Sequence, residues 1–167
     1  CHNPKQGYTQ TTRSVPKGAH PATGGRNAPS LYDVVTRQSL FRDGRGAALS
    51  EQVAEPLLDP REMGNTSVEA VAARVRAMPD YERFFRLAFG GPADSERIKA
   101  ALAAYQVTLI TGPNRFDRWK YDNRRGALNA AEIRGYELFV GKAGCVSCHQ
   151  IGQTSASFTD NAFHDIG

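Results

Sequence analysis

Apolar positions recur at intervals of three and four through the middle of the chain. Nowhere do they alternate for long enough to suggest a strand. Thr66, with Glu69 three residues on, makes a capping box for a first helix whose stripe is Val68, Val71, Ala72, Val75 and Met78. Pro79 starts a second helix, expected to bury Tyr81, Phe84, Phe85 and Phe89 and to stop at Gly90-Gly91. The longest stretch, "DSERIKAALAAYQVTLIT", places Ile98, Ala101, Leu102, Tyr105 and Leu109 on one face. A loop with Trp119 follows. Asn129 and Glu132 then cap "AAEIRGYELFVG", which runs straight into "KAGCVSCHQ".

The rest is punctuated differently. Residues 1–30 are polar and rich in Gly, Pro, Thr and Asn, and read as loop. "APSLYDVV" holds a short helix after Pro29, "FRDGRG" is a turn, and "LSEQVAEPLL" is a short helix ended by Pro56. "LDPREMGNT" and the tail from 150 to 167 are loop. The pattern predicts a mainly α protein of short helices and long loops. Loops of this length need something to pack around, and a large apolar cofactor would serve. A domain break fits best at 122–128, "DNRRGAL".

Composition narrows the function. The 167 residues are 40% hydrophobic and 23% charged, enough for one sizeable core or two small ones. No apolar run approaches the roughly 20 residues that span a bilayer. The net charge is +4, but Lys and Arg are scattered and do not interleave with aromatics, which argues against nucleic-acid binding. The cysteines are Cys1, Cys145 and Cys148, an odd number that cannot complete a disulfide framework. Each lies in or beside a Cys-His step.

"GCVSCHQ" contains Cys-x-x-Cys-His, and that spacing has a mechanism. Two thiols on one turn add across the vinyl groups of a haem, and the adjacent histidine ligates its iron. The competing readings are a zinc half-site and a redox dithiol. Zinc takes four ligands, and only one complete cysteine pair exists. A redox dithiol sits in a strand–helix context absent here. The motif therefore points to covalent haem at Cys145, Cys148 and His149. By itself, Cys1-His2 means little.

The segment "RNAPSLYDVVTRQSLFRDGRGAALSEQVAEPLLDPREMG" resembles the bacterial di-haem cytochrome c peroxidases and their MauG-like relatives. The matching pieces are Arg-Asn-x-Pro-Ser, Phe-x-Asp-Gly-Arg, Leu-x-x-Gln, Pro, and Pro-x-Glu-Met. "YERFFRLAFG", "IKAALAAYQVTLIT", "RFDRW", "LNAAEIRGYELF" and "GCVSCH" follow in the family's order. The resemblance implies two cytochrome c-like haem domains, the N-terminal one over residues 1–125 and the start of the C-terminal one over 126–167. It makes Cys1-His2 the tail of a second Cys-x-x-Cys-His, with both the start of the first domain and most of the second lying outside this chain.

What the resemblance implies residue by residue is specific. His2 ligates the peroxide-reacting haem, and Glu62 matches the distal glutamate, a carboxylate able to move protons during peroxide cleavage. Gln52 matches a glutamine of the same pocket. His20 stands near a loop histidine that caps the distal iron face in relatives, although Pro21 alters the flanking pattern and a solvent-facing histidine is the alternative. Asn27 matches a calcium-binding residue between the domains; an Asx-turn before Pro29 is the alternative. Arg42 departs from the family, which has tryptophan there as an electron relay between haems. A guanidinium cannot be oxidised as an indole can, though it can pair with a haem propionate. The second haem's other axial ligand would lie beyond Gly167, and "FTDNAFHDIG" with His164 tilts toward the MauG-like branch.

The expected function is hydrogen peroxide reduction with two covalent c-type haems, fed by a small periplasmic cytochrome c or cupredoxin. Calcium and a homodimer are further expectations. A MauG-like oxidase of a protein or small molecule is the first alternative, and a non-enzymatic electron carrier the second. Glu62 argues against the carrier, which has no use for a distal carboxylate. Covalent haem is assembled outside the cytoplasmic membrane, so the expected location is periplasmic.

Overall fold

The computed structural model describes residues 1–19 and 22–165. His20, a candidate iron ligand, therefore lies outside the described residues. The chain divides into two compact units, Cys1–Ile110 and Thr111–Gly167. Both are helical. Among the described residues no strand forms, only isolated bridges joining Asn3 to Thr9, Lys17 to Thr23 and Leu40 to Gly46.

The first unit begins as tied loop. A 3-10 turn at Pro4–Gln6 is capped by the Asn3 side chain, and another covers Val34–Thr36, where a short helix is expected. Helices α1 (Leu49–Gln52) and α2 (Ala54–Leu58) are separated only by Val53. Pro56 does not end this segment but sits inside α2. It occupies the first turn, where its missing N–H would have had no helical partner anyway. Helix α3 (Val68–Arg76) is capped by Ser67, whose hydroxyl accepts from the Ala70 amide, and not by Thr66. Glu69 accordingly does not close a capping box; it pairs with Arg76 at 2.8 Å and accepts from Ser95. Helix α4 (Pro79–Phe89) starts at its proline and stops at Gly90, whose φ of 71° is the left-handed region that glycine enters without cost. Helix α5 (Ser95–Val107) is capped by Asp94.

The core of this unit is Leu57, Ala72, Phe85, Ala93 and Ile98, with Val68, Val75, Phe89 and Ala101 packed against it. Ala72 and Ala93 are wholly buried, small residues where backbones approach closely. Burial of a side chain such as Phe85 is worth about 1.5–3 kcal/mol. Tyr81 and Phe84, expected inside, are exposed, as are Met78, Leu102 and Tyr105. A helix packed against one neighbour hides a narrow stripe, so apolar residues off that line stay outside.

The second unit holds α6 (Arg115–Lys120) and α7 (Ala130–Val140), with 3-10 turns at Arg125–Ala127 and Cys145–Ser147. Trp119 lies in α6, not in a loop. The signal was there in Asn114 and Asp117, which form a complete capping box, but six residues are too few to show a period. Asn129 and Glu132 close the box expected for α7. The segment 111–125 packs with this unit: Arg115 forms a bidentate pair with Glu132, and Phe116 and Trp119 meet Tyr136.

Candidate haem sites

One cavity of about 420 Å³ in the first unit is lined by Cys1, His2, Asn27, Arg42, Gln52 and Glu62, together with further charged and proline side chains. Residues as far apart as 1 and 62 meet there because α5 holds the loop before it and the helix beside it. The Tyr105 hydroxyl lies 2.9 Å from that of Tyr8, and this contact, followed by burial, raises the Tyr8 pKa. Lys99 pairs with Glu51 at 3.0 Å, fixing α1 and so placing Gln52. Bonds to Glu96 and Glu51 raise the Lys99 pKa in turn.

The Tyr8 carbonyl is the point of that anchorage. It lies 2.9 Å from His2 Nδ1. A carbonyl only accepts, so the bond fixes the proton on Nδ1 and leaves the Nε2 lone pair for a metal. Side chains tie the loop down further: Ser30 donates to the Gly7 carbonyl at 2.6 Å, Thr9 to that of Ala28, and Asn27 Nδ2 to that of Gln10 at 2.8 Å.

Glu62 sits in a tight turn after α2. Its amide donates to the Asp59 carbonyl, the Gly64 amide to the same oxygen, and the Arg61 amide to the Asp59 side chain. The Gly18-Ala19 segment docks on this turn through the Ala19 amide, which donates to the Glu62 carbonyl at 2.6 Å. The other acidic residues lining the cavity are engaged. Asp43 and Glu55 share Arg45, and Asp59 pairs with Arg61, each at 2.8 Å. Burial alone would raise the Asp43 carboxyl; hydrogen bonds from Arg45 outweigh it and hold it below the usual range. The Arg61 guanidinium does the same for Asp59. Glu62 enters none of these ion pairs. Arg45 also lies over the Phe41 ring at 3.6 Å.

Arg42 and Arg26 line the cavity without an ion pair among the described residues. Arg42 Nε reaches the Asn27 carbonyl at 3.4 Å. Asn27 Oδ1 is buried with no hydrogen-bond partner. An orphaned buried oxygen is costly unless a cation or donor meets it.

The second unit repeats the histidine arrangement. The Cys145–Ser147 turn brings the His149 amide 2.9 Å from the Cys145 carbonyl, so both thiols and the imidazole leave one turn. His149 Nδ1 lies 3.0 Å from the Phe158 carbonyl, again freeing Nε2. Tyr8 and Phe158, the two acceptors, both have φ in the left-handed region, at 54° and 52°. Phe158 is seated by Phe116 and Phe139. His164 Nε2 donates to Asp160 at 2.7 Å beside Cys148. The Ala162 amide and then His164 hold the Asp160 carboxyl below its usual range. Both donor sets fit covalently attached haem: a thiol, a neighbouring imidazole with its proton fixed, and one free nitrogen.

Sequence reasoning did not find the Tyr8 and Phe158 carbonyls, because backbone acceptors carry no residue signature. The roles of Asp43, Arg45, Asp59 and Arg61 are also not legible in the sequence, because their pairing depends on the fold.

The profile of the family described as di-haem cytochrome c peroxidase matches residues 1–125. The methylamine utilization protein MauG of Methylorubrum extorquens is 39% identical over all of this chain and 46% of its own length. Cytochrome c551 peroxidase of Nitrosomonas europaea is 38% identical over 89% of this chain and 44% of its own. Among solved structures, the diheme peroxidase BthA of Burkholderia thailandensis superposes with a TM-score of 0.79 at 30% identity, covering 96% of this chain and 46% of that one. The chain thus spans about half the length of these relatives.

Proposed function

The chain belongs to the di-haem cytochrome c peroxidase family, a family of oxidoreductases, and from that premise we propose that its cavity reduces hydrogen peroxide to water. A haem held through Cys1 and His2 would supply the redox iron at which the O–O bond is cleaved. Glu62 takes a proton from one peroxide oxygen and returns it to the departing one. Gln52 orients the peroxide by hydrogen bonding, and Arg42 offers its guanidinium to a propionate. Two electrons and two protons complete the conversion of one peroxide to two waters. Cys145, Cys148 and His149 would hold a second haem, which would supply the entry point for electrons from a small redox protein.

The observation that carries this reading is the company Glu62 keeps. It shares the cavity with His2, and it is the lining carboxylate outside the arginine pairs. An electron carrier needs no such group. The test is steady-state peroxide consumption by the haem-loaded protein with a reduced cytochrome c. Sustained turnover is expected; stoichiometric bleaching without turnover would sink the peroxidase reading. It would favour the second reading, a MauG-like oxidase, which the 39% identity to MauG supports.

Calcium is proposed at Asn27, whose unpartnered Oδ1 would be one of its six or more oxygen ligands. A periplasmic location follows from where c-type haem is attached. No helix among the described residues is long and apolar enough to cross a membrane.

Arg42 occupies the position where relatives carry the tryptophan relay. Arg42→Trp is expected to speed electron transfer between the haems, read by stopped-flow absorbance after partial reduction. Unchanged kinetics would remove position 42 from the electron route.

A further inference from the structure

The second unit carries a feature that peroxide chemistry does not use. Arg115, Arg118, Arg124 and Arg125 line one surface concavity with Gly126 and Ala127, and no carboxylate lines it. Arg115 is neutralised by Glu132 and also donates to the Ala127 carbonyl at 2.9 Å. Arg118, Arg124 and Arg125 form no ion pair among the described residues. Backbone geometry forces them together. Asn123 turns the chain with φ of 54°, the Arg124 amide donates to the Arg118 carbonyl at 2.9 Å, and the Arg125–Ala127 turn follows. Unbalanced like charges repel, so this cluster works against the stability of the unit and favours an anionic partner.

Its place says which partner. Helix α6 has two faces. Arg115 and Arg118 line the concavity, whereas Phe116 and Trp119 pack on Tyr136, and Phe116 also touches Phe158 at a centroid distance of 5.4 Å. The carbonyl of Phe158 holds His149. The patch is therefore one short helix away from the seat of the haem-ligating histidine. A nucleic acid would want an extended basic track with aromatic faces, and the basic residues here form a local cluster.

We propose that this cluster docks a small acidic redox protein, a one-electron donor, which reduces the haem held by Cys145, Cys148 and His149. The inference rests on the electron-entry reading given above. In each encounter one electron leaves the donor, which is oxidised, and the haem iron is reduced; no bond is made or broken. Opposite charge acts mainly on encounter rate, and salt screens it.

The test uses stopped-flow reduction of the haem-loaded protein, with a reduced acidic cupredoxin as probe and an uncharged hydroquinone as control. The variant combines Arg118→Glu, Arg124→Glu and Arg125→Glu, leaving the paired Arg115 in place. At low salt its second-order rate with the cupredoxin is expected to fall about tenfold or more, and its salt dependence to flatten or invert. Its rate with the hydroquinone is expected to match the native protein. An unchanged cupredoxin rate overturns the docking site. Equal losses with both reductants also overturn it, by placing the arginines in the haem seat. If hydroquinone does not reduce the His149 haem of the native protein, the electron-entry reading itself fails, and the docking proposal with it.

Discussion

Glu62→Gln is expected to lower peroxide turnover by roughly 10²–10⁴-fold, the usual contribution of a positioned general acid–base group. Glutamine keeps the size and the hydrogen-bonding shape of the side chain but cannot shuttle a proton. Glu62 is half-buried, and its turn is fixed by backbone bonds to Asp59, so the substitution should not disturb the fold. Haem content, the absorption bands that report His2 ligation, and the reduction rate of the second haem should all stay native. Turnover within a factor of two of the native protein would remove Glu62 from the chemistry. The arginine-paired carboxylates offer the contrast. Asp59→Asn breaks the pair with Arg61 and should act through stability more than through the proton-transfer step.

Gly18→Ala is expected to produce the second large effect, without touching any haem ligand or peroxide-facing group. A Cβ at Gly18 would lie 2.3 Å from the Arg61 carbonyl oxygen and 2.7 Å from that of Glu62. Both are backbone atoms and cannot swing aside as a flexible side chain would. Either the Gly18-Ala19 segment undocks and loses the Ala19–Glu62 bond, or the Glu62 turn moves. Overpacking of this kind costs about 1–3 kcal/mol, measurable by denaturant unfolding. Misplacing the carboxylate by an ångström should lower kcat roughly tenfold to a hundredfold. Gly25→Ala is the control in the same loop. Its Cβ would meet only Arg61 Nη1, at 3.8 Å, and near-native stability and kcat are expected. Native kcat in Gly18→Ala would show that the Gly18-Ala19 segment does not position Glu62.

Helix ends with strong local chemistry were legible in the sequence. Pro79 with Gly90, and Asn129 with Glu132, bound their helices because a fixed φ, a left-handed glycine and reciprocal caps act within a few residues. Ser67 displaced Thr66 as the α3 cap because two adjacent hydroxyls offer the same chemistry, and the backbone path decides between them. Tyr81 and Phe84 read as core and are exposed, since periodicity gives a helix its apolar side but not how much of that side a neighbour covers.

The site divides the same way. The Cys-x-x-Cys-His spacing of Cys145, Cys148 and His149 is legible in the sequence, because the haem attachment proposed for it needs thiols and an imidazole on one turn, and that spacing is linear. Cys1, His2, Arg42, Gln52 and Glu62 were each named from motifs, but no local rule places them around one volume. That gathering depends on long-range contacts: Tyr105 on Tyr8, Lys99 on Glu51, and the Ala19 amide on Glu62. Tertiary structure alone decided the proton on His2 and on His149, through the carbonyls of Tyr8 and Phe158. It alone decided which carboxylate stays outside the arginine pairs, and it alone folded Arg118, Arg124 and Arg125 onto one surface. The chemistry available was already written in the linear chain, since residue type and short spacing set what a group can do. Which of those groups act together was decided by packing, because electrostatics and hydrogen bonding depend on distances the chain reaches only when folded.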